Sequence, residues 1–92
     1  MGPRPVGFEP RGWGVGRLRM AYERETALAR FNLLKRGRTR WQMGRLMRIA
    51  HPGHDYRRCT IGRLKDVWLE WSEDKRKHCE QVARDIASVG RT

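Results

Sequence analysis

From Met20 onward the apolar residues recur at helical rather than strand spacing. Met20, Ala27, Leu28, Phe31 and Leu34 fall on one stripe, and Gly37 after Lys35-Arg36 is a stop signal. Thr39 is placed to cap a second helix bearing Met43, Leu46, Met47 and Ala50, which ends at His51-Pro52-Gly53. A loop follows to Cys59. Thr60 then caps a third helix with Ile61, Leu64, Val67, Trp68 and Trp71 on one face. Ser72 caps a fourth, with Glu73 and Asp74 in its first turn, where the helix dipole favours anions. Its stripe is Cys79, Val82, Ala83, Ile86 and Val89, and Gly90 closes it. No segment alternates with period two. The pattern predicts an all-α domain of three or four helices, with Phe31, Leu34, Leu46, Leu64, Trp68, Val82, Ala83 and Ile86 in its core.

Residues 1–19 carry no such stripe. They hold three of the four prolines and five of the ten glycines, with Phe8, Trp13 and several Arg among them. That composition predicts a flexible basic arm over 1–19 ahead of a helical domain over 20–92.

Charge turns this helical outline towards a function. The chain carries 21 Lys and Arg against 10 Asp and Glu, a net charge of +11. Almost all of the excess sits between residues 35 and 65, where Lys35, Arg36, Arg38, Arg40, Arg45, Arg48, Arg57, Arg58, Arg63 and Lys65 face a single acid, Asp55. Such a block repels itself unless a polyanion neutralises it, whereas a face kept for solubility intersperses both signs. Arg outnumbers Lys widely, and its planar fork suits phosphate and stacks on bases. The candidate nucleic-acid-binding set is Arg38, Arg40, Arg45, Arg48, Arg57, Arg58, Arg63 and Lys65, with Trp41. Arg45 and Arg48, three apart, are expected to share a face opposite Met43 and Leu46. For Trp41 two roles compete: packing against Leu46 or Trp68, the expected one, or stacking on a base.

Other chemistry finds little support. His51, His54, Cys59, His78 and Cys79 are ligand types for zinc, but His-x2-His-x4-Cys is not a structural zinc spacing, and Cys79 falls on an apolar stripe. No metal or cofactor is assigned. His78 and Cys79, adjacent on a helix, point about 100° apart and cannot act as base and nucleophile. Gly12 to Gly16 lacks the preceding strand and the Lys-Ser/Thr of a phosphate loop. A chain of this length has room for a thin core but not for a deep substrate cavity, so no enzyme is expected. Two cysteines do not make a disulfide framework, and no apolar run or secretory signal is seen, so an intracellular protein without a membrane partner is expected, whether in nucleus, nucleoid or mitochondrion.

From His51 to Ile86 the chain resembles the second half of a high-mobility-group box. The matching residues are Pro52-Gly53, Leu64 to Trp68, Ser72, Arg76, Cys79 and Ala83. It departs from that pattern at Cys79, where the family has Tyr, and at Lys65, where it has Gly. Upstream, Lys35-Arg36-Gly37-Arg38-Thr39 stands where the family places an aromatic pair and a DNA-facing wedge. The resemblance implies a helical, DNA-binding domain. Together with the charge block it favours DNA over RNA, bound chiefly through phosphates. Two alternatives are a ribosomal or mitoribosomal protein whose arm threads into folded RNA, and a small protein–protein adaptor presenting a Trp41–Met43–Met47 patch.

Overall fold

The computed structural model describes residues 13–90, with side chains from residue 16 onward. Among the described residues the fold is all-α: α1 (Trp13–Lys35), α2 (Arg40–Ala50), a single 3-10 turn (Tyr56–Arg58), α3 (Ile61–Glu70) and α4 (Glu73–Val89). The anticipated caps set the boundaries. Thr39 and Gln42 form a reciprocal capping box, with Gln42 N–H donating to Thr39 Oγ1 at 3.1 Å and Thr39 N–H to Gln42 Oε1 at 2.8 Å. Thr60 and Ser72 accept from the backbone N–H of Arg63 and Lys75. Gly37, at φ 78°, takes the left-handed conformation that ends α1.

α1 packs on α3, while α2 packs on α4 and on the 3-10 turn. The core is built from Ala27 and Phe31 of α1; Met43, Leu46, Met47 and Ala50 of α2; Leu64 and Trp68 of α3; and Cys79 and Ala83 of α4. Trp68 is fully buried at its centre, its ring 6.0 Å from Phe31 and 5.9 Å from Trp71. Arg30 ties α1 to α4 with a two-pronged bond to Glu80, at 2.9 and 2.7 Å, and it also pairs with Glu73. Arg76 donates to the carbonyls of Trp68, Leu69 and Trp71 and so closes the C-terminus of α3.

Three features depart from expectation. α1 begins at Trp13, so residues 13–19 of the anticipated arm are helical; residues 1–12 lie outside the described residues. The run Arg17-Leu18-Arg19-Met20-Ala21 consists of good helix formers, which offset the cost of Gly14 and Gly16. Every residue from Gly16 to Glu25 is nevertheless exposed. At the other end, Ile86 is not core but 47% exposed, and Val89 is 73% exposed. Leu34 and Val82 are half-buried rather than enclosed. Finally, Tyr56, in a segment expected to be plain loop, is buried with its hydroxyl donating to the His51 carbonyl at 2.9 Å. α2 admits that turn at Gly44, where a Cβ would lie 3.1 Å from the Tyr56 carbonyl oxygen.

Candidate nucleic-acid interface

α2 has two faces. Met43, Gly44, Leu46, Met47 and Ala50 turn inward, leaving Trp41, Arg45 and Arg48 as an outward stripe at i, i+4 and i+7. The Arg45 guanidinium lies over the Trp41 ring, 5.5 Å from its centroid, a cation–π geometry. Trp41 itself is 56% exposed, so the expectation that it packs into the core is corrected. Leu46 and Met47 of the same helix are buried in the core instead.

The stripe runs on into the following loop. Arg48 shares a shallow depression with Gly53, His54, Asp55 and Arg57. Asp55 N-caps the 3-10 turn and also pairs with Arg57 Nε at 3.0 Å. Hydrogen bonds from the Arg57 side chain and backbone, then the charges of Arg57 and Arg58, hold the Asp55 carboxyl below its ordinary value. One acid thus serves the whole cluster. Among the described residues Arg45, Arg48, Arg58 and Arg63 have no ion-pair partner.

The remaining members of the anticipated set are placed differently. Arg38 is half-buried and donates to the Leu34 carbonyl at 2.6 Å, capping the end of α1. Arg40 donates to the carbonyls of Arg57 and Cys59 at 2.9 and 3.0 Å, tying the start of α2 to the 3-10 turn. These two cations are held by backbone carbonyls. Arg63 lines another depression, which Asp66, Glu70 and Lys75 also line, without pairing with either acid, and Lys65 is half-buried on α3. The structure therefore gathers Trp41, Arg45, Arg48, Arg57 and Arg58 along α2 and the turn after it, while Arg63 and Lys65 lie on α3, Arg63 in an adjoining depression.

A groove of about 560 Å³ was not foreseen. It runs between the α1–α2 turn, the outer side of α2 and the last turns of α4, and is lined by Arg36, Arg38, Trp41, Arg45, Ile49 and Ile86, among others. Arg36 belonged to the charge block but was not singled out. Its neighbour Ile86 was assigned to the core, so only the tertiary packing brings the two together.

The His and Cys residues are dispersed. His54 Nε2 lies 3.8 Å from Cys59 Sγ, while His51 Nε2 meets the Lys75 carbonyl at 2.8 Å and its ring stands 4.7 Å from Trp71 and 5.2 Å from His78. Among the described residues no three His, Cys, Asp or Glu side chains converge to hold a metal ion. Nor is any helix among them long and apolar enough to cross a membrane. Compared with protein-family models, curated proteins and solved structures, the chain matches none.

Proposed function

We propose that this chain is a non-enzymatic nucleic-acid-binding protein that holds DNA chiefly through its phosphates. One observation carries the reading: Arg45 and Arg48 on the outward face of α2, with Arg57 and Arg58 beyond them, form a continuous cationic surface served by the single acid Asp55. Arg forks on a rigid helix suit phosphate oxygens, and such contacts fix position without reading sequence. The box-like positions support a helical body for that surface. Leu64, Trp68, Cys79 and Ala83 are all buried, and Ser72 is the N-cap of α4.

Salt dependence tests the reading directly. With Arg38 and Arg40 engaged by carbonyls, about four or five phosphate contacts are expected, giving a slope of log K against log salt near −4 on duplex DNA. A slope shallower than about −1, the value for a single contact, overturns it.

The RNA-assembly alternative draws on α1. Its residues from Gly16 to Glu25 are exposed, with Leu18 and Tyr22 among the barest apolar side chains, as suits a helix embedded in a larger particle. Markedly tighter binding to folded RNA than to duplex DNA at equal salt selects it. The adaptor alternative loses its signature patch, because Met43 and Met47 are fully buried.

A further inference from the structure

The groove beside α2 is poorly matched to a duplex backbone. Phosphates need only an outward cationic ridge, which Arg45 and Arg48 already provide. Here a concave site instead joins exposed apolar surface (Trp41, Ile49 and Ile86) to three arginines, and no acid lines it. The complementary ligand is a flat apolar ring attached to an anion. A nucleotide has that chemistry, and about 560 Å³ lies within the range of small-ligand sites.

We propose that this groove receives an unpaired base of a single-stranded nucleic acid, stacked against the Trp41 indole, with Arg36 and Arg45 taking the flanking phosphates. The inference rests on the nucleic-acid reading above and names its preferred substrate class as single strands. Three features support it. More than half of the Trp41 surface is open, and aromatic platforms of this kind bind bases irrespective of their identity. Arg45 lies over the ring and holds the indole on the outer face of α2, so little side-chain freedom is lost when a base arrives. The groove also opens onto the stripe that leads through Arg48 to Arg57, about 10 Å along α2 at 1.5 Å per residue, so a strand leaving the groove meets further cations. An acidic amphipathic peptide is the competing occupant. It needs a row of accessible apolar anchors, whereas of the groove's three aliphatic side chains only Ile49 and Ile86 are exposed beside the ring, Leu46 being almost fully buried.

The experiment compares three fluorescein-labelled ligands by anisotropy on the full chain: a ten-thymidine strand, an abasic deoxyribose-phosphate strand of equal charge, and a ten-base-pair duplex. The thymidine strand is expected to bind roughly 5- to 150-fold more tightly than the abasic one, the range for stacking one base on an aromatic side chain. Trp41→Ala should abolish that difference, leaving abasic affinity and the salt slope unchanged, and Trp41→Phe should restore part of it. Because Trp41 is exposed, circular dichroism of both variants should match the parent. Equal binding of thymidine and abasic strands, or equal loss of both in Trp41→Ala, overturns the base site while leaving the phosphate surface standing. Failure of all three ligands to bind in a salt-dependent way overturns the nucleic-acid reading itself. Displacement of the thymidine strand by a Glu/Leu amphipathic peptide that binds more tightly, and loses affinity in Trp41→Ala, overturns the base site in favour of a protein partner.

Discussion

The indole Nε1 of Trp68 donates to the backbone carbonyl of Ala27 at 2.8 Å, a bond made wholly inside the core between α3 and α1. It satisfies the one polar atom of the largest buried side chain and fixes the depth at which α1 lies on α3. Trp68→Phe keeps a ring but loses the donor and part of the volume, and is expected to cost about 1–3 kcal/mol. Trp68→Ala should cost about 3–5 kcal/mol through the cavity it leaves. Urea unfolding checks both values, and an alanine variant within about 1 kcal/mol of the parent would mean that α1 is not held in this way.

Arg40 behaves as a structural cation. Its guanidinium bridges the Arg57 and Cys59 carbonyls, which face α2 across the turn. Arg40→Gln cannot reach both oxygens, and should cost about 1–2 kcal/mol for hydrogen bonds from a charged donor at a partly exposed site. Salt titration of DNA binding is the discriminating measurement. The slope should stay as in the parent, and a fall of about one unit would make Arg40 a phosphate ligand after all.

The helices were legible because their signals are local. Thr39, Thr60, Ser72 and Gly37 each act within one turn of themselves, and the stripes of α2 and α3 need only periodicity. What was not legible depends on neighbours distant in the chain. Ile86 continues the α4 stripe faultlessly, yet nothing packs over it to bury it. Tyr56 gives no periodic signal, since its backbone sits against Gly44 while its ring meets His54 and Trp71 and its hydroxyl the His51 carbonyl. For the candidate site, charge counting picks out the basic block but cannot separate Arg45 and Arg48, which face solvent, from Arg38 and Arg40, which face carbonyls. The formal charge of an Arg says nothing about which unsatisfied backbone oxygen lies within its reach.

Cys79 should make the protein sensitive to alkali. Burial pushes its thiol up from 9.0 to about 12; the Glu80 charge adds to the shift and Arg38 opposes it. A group whose folded value is raised stabilises the fold below its unfolded value, and that contribution is lost as pH climbs towards the folded one. The melting temperature should therefore fall progressively from about pH 9 upward, with Tyr56, also raised chiefly by burial, contributing above pH 10. Cys79→Ala should flatten the lower part of that decline, and a parent-like profile in this variant would assign the loss elsewhere. In a Cys59→Ser background, Cys79 should resist iodoacetamide at pH 8 until urea is added.

The charge block can be divided by substitution. Arg45, Arg48, Arg57 and Arg58 are exposed, and the single ion pair among them, Arg57 with Asp55, is itself open to water and so contributes little to stability. Changing all four to Gln should leave unfolding within about 1 kcal/mol of the parent. Relief of mutual repulsion acts in the stabilising direction. DNA affinity should drop almost uniformly across sequences, and the salt slope should become shallower by about 3 to 4 units, one for each phosphate no longer neutralised. Arg63→Gln with Lys65→Gln provides the internal comparison. Arg63 lies on α3, outside the depression that joins Arg48 to Arg57, and Lys65 is half-buried. The double variant should therefore move the slope by less than one unit per substitution, the change expected when a fully engaged phosphate is released. If the quadruple variant keeps the parent slope while the double variant flattens it, the polyanion lies on α3, and the outward stripe of α2 is a surface for something other than phosphate.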